Sequence, residues 1–265
     1  MSAKTQRLDL LLVERGIAVN RERAQALILS GNVLVRDQPV TKAGQKVDIT
    51  APLRLRGEDH PYVSRGALKL VGALDGFKID PMGRIGLDVG ASTGGFTEVL
   101  LLRGATRVHA VDVGHNQMAW KIRSDSRVKV YEKVNARSLP SDLLGEKVGI
   151  IVMDVSFISV TKILPALLPH AEPSAEYVIL IKPQFEVGRE GVGKGGIVRD
   201  ESLRMKAVED VTHFAHSIGL DRLGLLDSPI EGTDGNREYL AWFKHRASKV
   251  PETGKKAALE ESESN

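Results

Sequence analysis

Ile85–Gly86–Leu87–Asp88–Val89 is followed by Gly90–Ala91–Ser92–Thr93–Gly94–Gly95, and then by Phe96. The order is a mostly apolar run, a turn of small residues, and the first large residue of a helical pattern. Such a turn between a strand and a helix lets a ligand lie against backbone at the carboxyl end of a sheet, and it decides the fold. Outward from it, apolar runs and helical segments alternate: Gly94–Leu102, Val108–Val111, Met118–Arg123, Val128–Tyr131, Gly149–Met153, Val160–Leu168, Tyr177–Ile181, Ser202–Ser217 and Arg222–Leu226. Ser64 is placed to cap a preceding helix that contains Lys69. Alternation of this kind predicts an α/β domain, a doubly wound parallel sheet covered by helices on both faces.

The turn also narrows the ligand. Ser92 stands where a dinucleotide fingerprint needs its middle glycine, and no Gly-Lys-Ser/Thr follows to make a phosphate-cradling loop. The second strand ends at Asp112, 22 residues beyond Gly90, where a carboxylate can accept hydrogen bonds from ribose hydroxyls. A ligand with a ribose and no phosphate suits both features, and S-adenosyl-L-methionine is the one that brings transferable chemistry. A tight turn needing glycine only for its dihedrals is the alternative on spacing alone.

With a methyl donor, the acceptor is the question. The segment Met153–Asp154–Val155–Ser156–Phe157 lacks the Asp/Asn-Pro-Pro-aromatic motif of amino-directed nucleic-acid methyltransferases. Cysteine is absent, which excludes adduct chemistry at pyrimidine carbon along with disulfide scaffolds and Cys-ligated metals. A hydroxyl acceptor remains open, and it needs a base. Lysine serves when burial and a neighbouring cation make its ammonium easier to deprotonate. Lys182 ends the apolar run Tyr177–Ile181, beside Asp154 at the end of the neighbouring strand, with Lys69 as second cation and Glu238 as second carboxylate. A lone lysine after a strand is more often a solvated end; its company distinguishes this one.

Ahead of this domain, Leu8, Leu11 and Leu12, then Ala24, Leu27 and Ile28, recur at helical spacing. Asn20 is placed to cap the second helix and Gly31 to close it; Val33–Val35, a turn at Asp37–Pro39, Val40 and Val47–Ile49 read as strands of one small curled sheet. Arg7, Arg21, Arg23, Lys42 and Lys46 are either solvated charges or a converging nucleic-acid surface. The net charge of +3 and a pI near 9.0 permit nucleic acid without demanding it. Residues 1–58 are expected to form the small module, 59–63 a linker, 64–247 the large domain and 248–265 a disordered tail. No apolar run reaches the roughly 18 residues that span a bilayer, and no leader pattern opens the chain, so a cytoplasmic protein is expected.

The residues that carry these readings resemble two families. Gly90–Gly95 with Lys69, Asp154, Lys182 and Glu238 is similar to the FtsJ-type ribose 2′-O-methyltransferases, whose tetrad is Lys-Asp-Lys-Glu in that order. Arg7–Leu8–Asp9, Asn20–Ala24, Gly31–Asn32–Val33 and Val35–Arg36–Asp37 resemble the S4 RNA-binding domain. The two in succession are similar to the TlyA family, with Tyr62–Lys69, Met153–Ser159 and Lys182–Glu186 in register. The resemblance implies a Rossmann-like class I S-adenosylmethionine-dependent methyltransferase domain behind a small α+β S4-like domain. It implies 2′-O-methylation of cytidine in ribosomal RNA, in the large subunit and, for longer members, also in the small one. By that carry-over Lys182 is the base, Lys69 holds the 2′-oxygen, Asp154 fixes the lysines and the donor, and Glu238 completes the network. Donor contacts are expected from Asp88, Gly90, Ala91, Ser92, Thr93, Gly94, Gly95, Phe96, Asp112, Val113, Asn135, Ala136, Asp154 and Phe157. RNA contacts are expected from Arg7, Arg21, Arg23, Lys42, Lys46, Arg65, Arg189 and Lys194.

Some members of that family are called haemolysins, although this sequence has neither a membrane-spanning run nor a strongly amphipathic basic helix. A non-catalytic RNA-binding or assembly factor and a membrane-active haemolysin are the alternative functions. The glycine-dense segment at 186–200 reads as a mobile lid over the donor, a clasp on the RNA backbone, or a merely floppy loop. No His/Asp/Glu cluster with ligand spacing stands out, so no metal is expected. The expected partner is ribosomal RNA within ribosomal subunits, with no membrane expected and no obligate protein partner evident in the sequence.

Overall fold

The computed structural model describes residues 4–29, 31–55, 60–232 and 235–246. The expected tail at 248–265 and the module boundary at 58 and 59 lie outside the described residues.

The N-terminal part runs β1 (Thr5–Arg7), α1 (Leu8–Glu14), α2 (Arg21–Leu29), β2 (Val33–Val35), β3 (Gln38–Pro39), β4 (Lys46–Asp48) and β5 (Leu53–Leu55). Leu8, Leu11 and Leu12 of α1 pack against Ala24, Leu27 and Ile28 of α2, as their spacing predicts. Asn20 Oδ1 accepts the Arg23 N–H at 2.8 Å, capping α2. Gly31, at φ +70°, ends it. Two expectations fail. There are two small antiparallel sheets, β1 with β4 and β3-β2-β5, rather than one. Gln38–Pro39 is a strand, because Arg36 and Asp37, both left-handed at φ 52° and 63°, form the reversing pair of the hairpin.

The large domain continues with α3 (Gly66–Phe77), β6 (Ile85–Val89), α4 (Gly95–Leu102), β7 (Arg107–Val111), α5 (Trp120–Arg123), β8 (Val128–Tyr131), β9 (Val148–Met153), α6 (Leu164–Leu167), β10 (Ala171–Ile181), α7 (Pro183–Glu186), α8 (Glu201–Ser217), β11 (Leu220–Asp227) and β12 (Tyr239–His245). The sheet order is β11-β12-β10-β9-β6-β7-β8. Strands β6 to β10 are mutually parallel, and β12 is antiparallel to both neighbours. The expected parallel sheet is thus corrected at one end, by a strand the local pattern did not single out. Ser64 is not the expected side-chain cap: Arg65, in αR conformation, holds the cap position of α3 and Ser64 contributes its carbonyl. Val160–Leu168 is not one helix either; Pro165 and Pro169 confine α6 between 3₁₀ turns.

The central strands are apolar throughout because both faces are covered. Ile151, Met153 and Ile179 face Val208 and Val211 of α8. Ile150, Val152 and Val178 face Leu70 and Leu74 of α3 and Phe96, Val99 and Leu100 of α4. After β6 the chain builds outward through β7 and β8, then returns to place β9 on the other side of β6. The crevice between the carboxyl ends of β6 and β9 is therefore the switch point where such sheets bind ligands.

Candidate active site

Four elements deliver their chemistry to that crevice. Asp154 follows β9 and Lys182 follows β10, and Lys182 Nζ lies 2.6 Å from Asp154 Oδ1. Glu238 precedes β12, whose Tyr239 is in register with Ile181 of β10. Because β12 runs antiparallel, its beginning meets the end of β10 at the same edge. Lys69, in the first turn of α3, places Nζ 2.5 Å from Glu238 Oε2. The four side chains form two lysine–carboxylate pairs, and all four line one cleft of about 340 Å³. Lys69, Lys182 and Glu238 are buried, a setting in which unpaired charges would be costly.

The cleft floor is the small-residue turn: Gly90, Ala91, Ser92, Thr93, Gly95 and Phe96 all line it. Gly90 sits at φ +83°, and a Cβ there would strike the Asp154 carbonyl oxygen. Only glycine lets the β6 loop and the β9 edge approach so closely. Ser92 adopts φ +46° without being glycine, and its N–H donates to Asp112 Oδ2 at 2.8 Å. Gly114 N–H donates to Asp112 Oδ1 at 2.7 Å, which leaves lone pairs on both oxygens for further donors. Gly94, at φ +93°, is the N-cap of α4.

Asp88 lies beneath this loop, fully buried. Its Oδ2 accepts from Thr97 Oγ1 at 2.6 Å, while Oδ1 has no hydrogen-bond partner among the described residues. Burial pushes its carboxyl up to about 7; the negative charges of Asp154 and Asp112 add to this and the hydrogen bonds from Thr97 oppose it. A backbone cradle, an unpartnered buried acceptor, an accessible Asp112 and a cleft of drug-sized volume fit a nucleoside-bearing sulfonium donor.

Other expected donor contacts stand apart from the cleft lining. Val113 is exposed, and Asn135 caps the turn that starts at Ala136 by accepting the Arg137 N–H at 3.1 Å. Phe157 is left-handed at φ 65°, 91% exposed, and tilted against Phe185 at 5.2 Å. Conversely, Ser64, Gly66, Ser156, Leu29 and Ile230 line the cleft without having been expected among the site residues. Ser156 sits inside the motif around Asp154, a signal that was available. Leu29 comes from the end of α2, and nothing local in its sequence foretells that position.

The expected RNA contacts divide. Asp9, buried, accepts from Arg7 Nη2 at 2.8 Å and Arg21 Nε at 3.0 Å, with Gln25 Nε2 also at 3.0 Å; these donors hold its carboxyl well below the ordinary carboxylate range. Arg23 donates to the carbonyl of Tyr62 at 2.6 Å and to that of His60, so it ties α2 to the approach to α3. Val63 N–H in turn donates to Glu98 Oε2 at 2.7 Å. Arg65 lines the cleft, and Lys42, Lys46, Arg189 and Lys194 are exposed. The end of the glycine-dense segment is fastened at Gly196 and Val198. Asn236, buried, accepts from Val198 N–H at 3.0 Å and donates to Gly196 O at 2.8 Å, and Arg204 Nη1 donates to Val198 O at 3.0 Å. Among the described residues no group of His, Asp or Glu is placed to hold a metal, and no helix is long and apolar enough to cross a membrane.

Comparison with known proteins agrees with this anatomy. Residues 62–245 match the FtsJ-like methyltransferase family and residues 6–51 the S4 domain. The 16S/23S rRNA (cytidine-2′-O)-methyltransferase TlyA of Mycobacterium tuberculosis is 46% identical over 249 residues, 94% of this chain and 93% of that protein. Hemolysin A of Brachyspira hyodysenteriae is 42% identical over 89% of this chain and 99% of its own. A haemolysin-named protein of Streptococcus thermophilus, of known structure, superposes with a TM-score of 0.72 at 42% identity, covering 95% of this chain and 93% of its own. The chain belongs to the FtsJ-like methyltransferases, in the TlyA group that carries an S4 domain ahead of the catalytic one.

Proposed function

We propose that this protein moves a methyl group from S-adenosylmethionine to the 2′-hydroxyl of a cytidine in ribosomal RNA within a ribosomal subunit, and so works in the cytoplasm. The observation that carries the reading is the pair of lysine–carboxylate contacts, Lys182–Asp154 and Lys69–Glu238, above the Gly90–Gly95 floor. The TlyA relative's name supports the acceptor.

The donor supplies an electrophilic methyl whose carbon–sulfur bond breaks with the electron pair left on sulfur. The chain's residues do the rest. Lys182 in its amine form takes the 2′-OH proton as the oxygen–carbon bond forms, and Asp154 anchors the amine and stabilises the ammonium produced. Lys69, held by Glu238, places positive charge beside the oxygen as it becomes nucleophilic. Gly90–Gly95 and Asp112 hold the donor, with Asp88 beneath them. Because Lys69 and Glu238 are buried, the nucleotide must leave its stack to reach them. Lys42, Lys46, Arg65, Arg189 and Lys194 meet phosphate.

The test is incubation of unmethylated 30S and 50S subunits, separately, with labelled donor and protein, then nucleoside mass analysis. The expected product is 2′-O-methylcytidine. Lys182→Ala is expected to abolish it while calorimetry still shows donor binding; a variant with normal turnover would return the chain to a non-catalytic role.

A further inference from the structure

We infer that Ser156 is a positioning residue for the methyl transfer, fixing the rotation of the Lys182 amine so that its lone pair meets the 2′-oxygen. The inference rests on Lys182 being the base. Lys182 Nζ has two acceptors among the described residues, Asp154 Oδ1 at 2.6 Å and Ser156 Oγ at 2.9 Å. A tetrahedral nitrogen has four directions. One is the bond to Cε, two are taken by these acceptors, and the fourth is left for the substrate. Asp154, Ser156 and Lys182 all line the same cleft, so that direction opens where the nucleotide enters.

Asp154 alone cannot do this. A neutral amine held by one acceptor still turns about Cε–Nζ, offering the 2′-oxygen either its lone pair or an N–H, and only the lone pair removes a proton. A second acceptor at a fixed place selects the productive rotation. Ser156 is kept at that place although it is exposed. Ser159 Oγ donates to Glu186 Oε2 at 2.5 Å and Val160 N–H to Glu186 Oε1 at 2.9 Å, and Phe157 lies against Phe185. Phe185 and Glu186 belong to α7, which begins immediately after Lys182. The loop carrying Ser156 is thus fastened to the segment that carries the base.

The experiment compares Ser156→Ala, Ser156→Thr and Lys182→Ala with the parent chain, measuring kcat and KM on unmethylated subunits and donor affinity by calorimetry. Ser156→Ala is expected to lower kcat about tenfold, with KM and donor affinity within about twofold, and Ser156→Thr to restore kcat. An unchanged kcat in Ser156→Ala, with Lys182→Ala inactive, overturns the inference and leaves the base assignment standing. Equal loss in the threonine variant, or loss shared by KM and donor affinity, overturns it too. Turnover by Lys182→Ala instead removes the base assignment on which it rests.

Discussion

Asp88 shows how one carboxyl can link stability to acidity. In the unfolded chain it ionises near the ordinary aspartate value of roughly 4, whereas in the fold burial raises it to about 7. Between those values the unfolded state binds fewer protons than the native one, so stability contributed at low pH is lost as pH rises and the loss is complete above about 7. Asp88→Asn should remove this dependence. Urea unfolding of the donor-free protein is expected to show the variant gaining on the parent by on the order of a few kcal/mol from pH 4.5 to 7.5; a pH-independent difference would refute the assignment. Asp9 has the opposite sign, its depressed carboxyl contributing stability above the ordinary aspartate value that is lost as pH falls through the lowered one. Sequence alone placed Asp88 in a strand and read Arg7 and Arg21 as solvated charges or part of a nucleic-acid surface. It could not show that Arg7 and Arg21 converge on a buried carboxylate, because that partnership reaches 12 residues along the chain, from Asp9 to Arg21.

At the scale of elements, legibility followed burial. Strands β6, β9 and β10 are apolar along their whole central length, and that is what a strand covered on both faces must be. Strand β12 carries an equally apolar run, Tyr239–Phe243, yet its antiparallel insertion between β11 and β10 is a fact of pairing that no local pattern encodes. Glu238 was named as a second carboxylate, but its pairing with Lys69 was not legible, for the same reason. The Gly90 turn, by contrast, was legible as a small-residue turn between a strand and a helix. Gly90→Ala is expected to weaken donor binding more than tenfold by calorimetry, since a Cβ there strikes the Asp154 carbonyl and the left-handed backbone disfavours it; retained affinity would mean the cradle is not the donor site. Asn20→Ala should cost about 1 kcal/mol in the N-terminal module by removing the cap of α2, with donor affinity unchanged in the same preparation.

In the whole molecule the two modules share a wall. Leu29 of α2 lines the catalytic cleft, and Arg23, from the same helix, grips carbonyls just ahead of α3. Arg23 therefore reads as a tie between modules, and its loss should reduce turnover more than RNA affinity. Lys42 and Lys46 lie outside that tie. Lys42→Glu with Lys46→Glu is expected to weaken RNA binding and to flatten its salt dependence by about one unit of slope per lost phosphate contact, leaving donor binding intact. An unchanged slope would place the RNA on another face. Strand β12 lies inside the sheet rather than at its edge, and it brings Glu238 to Lys69. A strand paired on both sides cannot be peeled away without opening two ladders at once, so the Lys69–Glu238 contact shares the opening free energy of the sheet's interior and not that of a fraying edge.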